Sequence, residues 1–393
     1  MKQSLGRRAI RLAVLVVLVL SGCGGPVRQA RAPAAVRPRV HETFTIPREV
    51  NGLCVTVPVR LKGKSYVFIL DTGTTGVIFD ESFKGELGKP KTFRTLRTAS
   101  GIDEIELFDP PDAYVGPIDV ADGGPVWCSD LSAFRALSGC DIRGVVGMTV
   151  LKDYVVRIDF ARSRVEMMSS DKETHPAWGM AVPLGYAESG VPYVTAWVDG
   201  REVRMRIDTG DNTCGRLSEA QYERALRRRE ATVRDSTVVD LSGIRRGESV
   251  RIGELRLGHY IYRELPFSKG LDSALGIAFL TRHRVTFDFP NRKMYLVKLR
   301  EPARPARPYI SGLVFRRSAG RLLIQRVLHG GPAKEAGIRP GDVVLKIDDT
   351  DASHLEPWRA ARLLMSDHEK EVTLTLERSG RPTTFTFKLR PGL

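Results

Sequence analysis

Histidine is scarce in this sequence, seven residues among 393, and none forms a His-Glu-x-x-His pair, which excludes zinc-peptidase chemistry on one helix face. Neither a Gly-x-Ser-x-Gly elbow nor a GNSGG run occurs, so the usual signatures of a serine nucleophile are missing as well. The five cysteines lack the paired spacing and neighbouring histidines of a structural zinc site, and no metal is expected. The apolar run Leu12–Leu20 is too short to span a bilayer at about 20 residues per crossing. No basic helix interleaved with aromatics is evident, and the chain carries an export signal, so its excess of basic residues does not point to nucleic acid. What is present is ordinary: 42% hydrophobic and 27% charged residues, the composition of a globular chain long enough for two or three domains.

The first 22 residues read as a processing signal: a basic stretch, the Leu12–Leu20 run, then Leu20-Ser21-Gly22-Cys23. The last four resemble the bacterial lipobox, which implies lipidation of Cys23 and anchoring in the cell envelope; a plain secretory signal is the alternative, and either takes the chain out of the cytoplasm. Cleavage before Cys23 removes Lys2, Arg7, Arg8 and Arg11, lowering the net charge from +15 to +11 (15 − 4). Residues 23–42, rich in Pro, Ala and Arg, read as an extended tether able to lie along an anionic membrane surface. Cys54, Cys128, Cys140 and Cys214 remain in an oxidising compartment with three possible pairings. Cys128 and Cys140 flank one loop, which favours that bridge.

An internal repeat organises the next 250 or so residues. "VRLKGKSYVFILDTG" matches "AWVDGREVRMRIDTG", with Gly63 and Gly200 each eight residues before an aspartate (71 − 63 and 208 − 200). Each stretch predicts a strand, a tight glycine turn and a second strand running into Asp-Thr-Gly. Ser100-Gly101-Ile102 recurs as Ser242-Gly243-Ile244, each inside a predicted hairpin. "GVVGMTVLKDYVVRIDFARSRVEM" then aligns without gaps to "SALGIAFLTRHRVTFDFPNRKMYL". One Asp-Thr-Gly occurs by chance in about one chain in ten of this length; two copies at matching places in a longer repeat do not.

These residues resemble the aspartic peptidases, specifically the bacterial retropepsin-like group, whose pattern is an apolar strand ending in Asp-Thr-Gly and a later hydrophobic pair before a glycine. Val145-Val146-Gly147 and Ala274-Leu275-Gly276 match the later element. The resemblance covers residues 42 to 300 and implies a mainly β fold: two retropepsin-like β-barrel lobes, 43–170 and 171–300, related by pseudo-two-fold symmetry and each contributing one aspartate. Asp71 and Asp208 would form the catalytic pair. Two carboxylates brought together cannot both ionise cheaply, so they share a proton, one serving as base and the other as acid, and the sequence does not say which is which. Gly73 and Gly210 would let backbone N–H groups approach the carboxylates. By the resemblance, Thr72 and Thr209 would lock the two loops together through their hydroxyls, and the hairpins at Gly101 and Gly243 are candidate flaps. No cofactor is implied, and a monomer carries both halves of the site.

The copies differ. Thr74 follows the first motif, whereas Asp211 follows the second, where the group usually has a small hydroxyl residue or alanine. Alternation in "VRMRIDTG" puts Arg204 and Arg206 on the face of Asp208, with Val203, Met205 and Ile207 opposite. An Asp211 facing the pair would raise its pKa values, and Asp211→Ser would then move the acid limb of activity downward. Alternatively Asp211 points to solvent or pairs with Arg204 or Arg206.

After a proline-punctuated linker at 301–309, residues 310–393 contain "SGLVF" and "GGPAKEAGIRPGDVVLKIDD", which closely resemble a bacterial PDZ domain. The resemblance assigns Gly312, Leu313, Val314 and Phe315 to the loop that binds a peptide's terminal carboxylate, the peptide adding as a strand. The sequence therefore predicts an envelope-anchored aspartic endopeptidase with peptide or protein substrates and a peptide-binding PDZ domain. The second reading is a catalytically silent lipoprotein that binds extended peptides through the cleft between lobes, the PDZ groove or both.

Overall fold

The computed structural model describes residues 39–391 except 48–49, 51–52, 99–100, 172–174, 228–232, 241–242, 302–308 and 329–330. The signal, Cys23, Ser100, Ser242 and most of the tether and linker lie outside the described residues. Two predicted boundaries shift. The strand His41–Thr45 pairs along Arg164–Ser169, so the last residues of the 23–42 tether are already folded. Tyr309, assigned to the linker, starts a strand, Tyr309–Ile310, paired with Met365–Ser366.

In the first half, the strand Thr56–Leu61 reverses at Lys62 and Gly63, whose φ values of 49° and 76° are both left-handed, into strand β1 (Lys64–Leu70). Two successive left-handed residues form the turn whose twist suits a hairpin, and Leu61 lies directly opposite Lys64. The aromatic and branched end of β1 supplies three consecutive buried residues, Phe68, Ile69 and Leu70, so Asp71 emerges from inside the core. Strand β2 (Val77–Asp80) follows the motif, and helix α1 (Ser132–Ser138) precedes strand β3 (Ile142–Val146). β3 runs parallel to β1 and antiparallel to β2.

The same local arrangement recurs in the second half. Pro192–Val198 reverses at Asp199 and Gly200 (φ 47° and 78°) into strand β4 (Arg201–Ile207). Strand β6 (Ala274–Leu275) runs parallel to β4 and antiparallel to strand β5 (Gly215–Ser218). Along β4, Val203, Met205 and Ile207 are buried and Arg204 and Arg206 face the other way, as the alternation predicts. The hairpins at Gly101 and Gly243 are present, with Thr98 opposite Gly101 and Asp240 opposite Gly243.

A six-stranded sheet takes three strands from each half and is joined at its centre by Tyr154–Asp159 against His283–Asp288. The repeat offset there is 129 residues (276 − 147), and Arg157 stands opposite Thr286, its own counterpart in the repeat. Val155 faces Asp288, the counterpart of Asp159, and Asp159 faces Arg284, the counterpart of Val155, so the pairing is reciprocal about Arg157 and Thr286. One contiguous apolar core, from Val40 to Leu296, runs through both halves.

A second core lies within Leu313–Leu389. Its six-stranded sheet begins at an edge strand, β7 (Leu313–Ser318), which pairs with Arg321–Val327; helix α2 (Pro357–Leu363), entered by a proline at its first position, packs against β7. The four described cysteines form no disulfide, so the expected Cys128–Cys140 bridge is not formed. Cys140 instead lies near buried Cys54, whose thiol is pushed up in pKa first by burial and then by repulsion from Cys140.

Candidate functional site

Asp71 and Asp208 leave β1 and β4 at the same height because each strand continues into a neighbour's carbonyl: the Asp71 N–H donates to Val146 O (2.9 Å) on β3 and the Asp208 N–H to Leu275 O (3.0 Å) on β6. The two loops then meet face to face. The Thr72 N–H donates to Thr209 Oγ1 (3.0 Å), and that hydroxyl donates to Leu70 O (2.8 Å). Reciprocally, the Thr209 N–H donates to Thr72 Oγ1 (3.2 Å), which donates to Ile207 O (2.7 Å). Both threonines are fully buried, so four polar groups that would otherwise be orphaned are satisfied across the junction.

The carboxylates are set against the opposite loop's glycine. A methyl group added at Gly73 would lie within 2.7 Å of both Asp208 carboxylate oxygens, and one added at Gly210 within 2.8 Å of both Asp71 oxygens. Only glycine permits this approach. Each aspartate also takes the N–H of its own motif glycine: Gly73 to Asp71 Oδ1 at 2.7 Å, Gly210 to Asp208 Oδ1 at 3.1 Å. Gly147 and Gly276 back the loops just as tightly; a methyl at Gly276 would stand 2.7 Å from Asp211 O.

The outer oxygens differ. Thr74 Oγ1 donates to Asp71 Oδ2 at 2.7 Å. The backbone of Asp211 follows that of Thr74, its N–H near Asp208 O (3.3 Å) and its carbonyl accepting from Ile277 (2.7 Å), as Thr74 O accepts from Met148 (2.8 Å). A carboxylate there has no proton to give. The donors to Asp208 Oδ2 are instead two guanidinium groups, Arg216 Nη2 at 2.7 Å and Arg206 Nη2 at 2.9 Å. Arg216 Nη1 also pairs with Asp211 (3.3 Å), and Arg206 Nη1 with Asp272 (3.2 Å). Asp211 is therefore buried beside Arg216; it neither points to solvent nor pairs with Arg204 or Arg206. Arg204 lies over the Tyr193 ring, 5.2 Å from its centroid.

Arg216 is the residue that reading the sequence missed. It stands on β5 opposite Ala274, where the first half has fully buried Ile78 on β2 opposite Val145. Counting from the motif hides this match, because the second loop is one residue longer (216 − 210 against 78 − 73). Only the pairing of β5 with β6, set beside that of β2 with β3, reveals an arginine at an apolar core position.

The two carboxyls separate electrically. Burial, then repulsion from Asp208, raises Asp71 to about 7, although Thr74, the Gly73 N–H and Arg206 work against the rise. Burial also opposes ionisation of Asp208, but Arg216 and Arg206 outweigh it and hold that carboxyl below the usual range. Asp211 is raised by burial, against the pull of Arg216.

At the C-terminal domain, a small pocket with room for about one water molecule, partly open to solvent, is lined by Ile310, Gly312, Leu313, Leu328, Ala361 and Leu364, among others. Gly312 has a left-handed φ of 76°, a conformation that favours glycine. Of the predicted carboxylate-binding residues, Gly312 and Leu313 line the pocket. Val314 and Phe315, next along β7, are both buried, with Phe315 in the domain's core.

Residues 323–378 match the family described as "PDZ domain". A solved structure, the photosystem II D1 C-terminal processing protease, matches at 23% identity over 22% of this chain and 25% of that one, with a TM-score of 0.20. The match thus spans a quarter of that protein's length. No curated protein matches the chain. The chain is mainly β and carries a C-terminal PDZ domain.

Proposed function

We propose that the chain is a single-chain, two-lobed aspartic endopeptidase in which Asp71 and Asp208 activate a water against a peptide bond, with the PDZ domain recognising peptides or proteins. The observation that carries this reading is the pair of opposed Asp-Thr-Gly loops, bonded reciprocally through Thr72 and Thr209, each carboxylate packed on the other loop's glycine. The reciprocal register around Arg157 and Thr286 supports a pseudo-two-fold relation between lobes 43–170 and 171–300. The chemistry divides by charge: ionised Asp208 accepts a proton from the attacking water while Asp71 donates its proton to the carbonyl oxygen; as the tetrahedral intermediate collapses, Asp208 passes its proton to the leaving nitrogen and Asp71 takes one back from the intermediate's hydroxyl. Export and lipid anchoring through Cys23 belong to the same proposal and rest on the Leu20–Cys23 motif.

Incubating the protein with a diverse peptide mixture is expected to give cleavage that Asp71→Asn abolishes. Absence of cleavage from both samples overturns the peptidase reading; cleavage by both identifies a contaminant. A specific observation favours the second reading, a silent peptide binder: the same two guanidinium groups that keep Asp208 ionised also weaken it as a base.

The pH profile follows from the same charges. Asp71 keeps its proton up to about pH 7 and Asp208 stays ionised through the weakly acid range. Hence kcat/KM is expected to be level there and to fall about tenfold per pH unit above neutrality. Arg216→Gln removes the stronger of the two cationic influences on Asp208, which then protonates at higher pH, so the acid limb is expected to move upward. An unmoved acid limb would show that Arg216 does not govern Asp208.

A further inference from the structure

Strand β7 is an edge of the PDZ sheet, and the groove between that edge and α2 is where an extended ligand would add as a strand. In this structure the groove is not open along its length. Helix α1, from the first half of the chain, packs against β7 and α2 together. At its end, Gly139 closes the helix in the left-handed conformation (φ 60°), its N–H donating to Arg135 O at 2.9 Å. Gly139 presses so closely on the PDZ domain that a methyl there would lie 2.7 Å from Met365 Sδ and 3.3 Å from the Arg362 backbone. Met365 also lines the cavity at the start of β7.

We propose that α1 is the resident occupant of the PDZ groove, and that an extended peptide with a free C-terminal carboxylate enters by displacing it. The pocket beside Gly312 and Leu313 has room for about one water molecule while α1 is in place, and its largely aliphatic side-chain lining suits the terminal side chain of a peptide that enters as α1 leaves. The contact is tied mechanically to the first half's interior. Arg135 of α1 reaches the buried Asp80 Oδ2 at 2.5 Å and Ile142 O at 3.1 Å, and the Leu131 N–H donates to the same Asp80 oxygen at 3.2 Å. Asp80 ends β2, Ile142 begins β3, and β3 ends in the carbonyl that holds the Asp71 N–H. Lifting α1 therefore pulls on the strand behind Asp71. The inference uses the PDZ domain and this packing alone, and stands whether or not the aspartate pair is catalytic.

The test uses the full chain and fluorescent decapeptides ending in Ala, Val, Leu or Phe, each as free acid and as amide. Hydrogen exchange of the wild type with saturating free-acid peptide is expected to show protection at 313–318 together with faster exchange at 132–139 and 142–146. Gly139→Asn keeps a residue that tolerates positive φ while forcing a side chain onto Arg362 and Met365. It is expected to tighten free-acid binding about tenfold, since the competent state no longer has to be freed from α1, and to leave amide peptides weak. Protection at 313–318 without faster exchange at 132–139, equal affinity in both proteins, or no binding to either overturns the proposal. The wild-type exchange experiment decides the matter even where the variant fails to fold.

Discussion

At pH 8, Asp208→Asn is expected to lower the free energy of unfolding by about 3–5 kcal/mol, the usual cost of removing one partner from a buried ion pair, whereas Asp71→Asn is expected to raise it. The opposite signs come from the surroundings of two chemically identical groups. Asp208 is buried and answers two guanidinium groups, so its loss leaves Arg206 and Arg216 crowded with only Asp211 and Asp272 to balance them. Among the described residues no cation is bonded to Asp71; its oxygens take the Gly73 N–H and the Thr74 hydroxyl.

The pH dependence of stability carries the same contrast. Asp71 has its folded pKa raised to about 7, so the stability it contributes is complete below its unfolded pKa near 4 and is lost as pH rises through neutrality. Asp208 has a lowered folded pKa, so its contribution is present above the unfolded pKa and lost as the solution is acidified. The gap between the two asparagine variants is therefore expected to be widest at pH 8 and to narrow toward pH 4. Urea unfolding of both variants across that range measures it. Equal stabilities at pH 8 would mean that the arginines do not hold Asp208 as described.

Much of this site could be read from the chain because its determinants are local. Asp-Thr-Gly, the turns at Lys62-Gly63 and Asp199-Gly200, and the alternation in β4 each depend on a few adjacent residues whose backbone conformations are nearly dictated. Arg216 was not legible because its role is set by strand pairing: a one-residue difference in loop length hides its equivalence to Ile78, and only the register of β5 against β6 restores it. The packing of α1 on the PDZ domain was hidden for a related reason. A seven-residue helix carries no pattern that names a partner nearly 200 residues away, and the small residue that permits the contact, Gly139, looks like an ordinary helix cap. The cysteines misled because nearness in sequence suggested a pairing, whereas Cys140 comes close to Cys54 through the fold.

Thr209→Val is expected to cost about 2–6 kcal/mol, because two buried backbone groups lose their only described side-chain partner at about 1–3 kcal/mol each. Valine matches threonine in shape, so the loss is polar and not steric. The groups left unpaired are the Thr72 N–H and the Leu70 carbonyl, which flank Asp71 and belong to the other half of the chain. A substitution in the second motif should therefore disturb the first aspartate more than its own neighbour, Asp208, which keeps Arg206 and Arg216. On the peptidase reading, a misplacement of about 1 Å at Asp71 is expected to lower kcat about 10²-fold. The limb of the pH profile near neutrality should move while the acid limb stays. Thr209→Ser retains the hydroxyl and should restore both stability and the profile. Loss of activity in Thr209→Ser as well, or a shift of the acid limb in Thr209→Val, would place the effect in packing around Asp208 and break the crossed link between the loops.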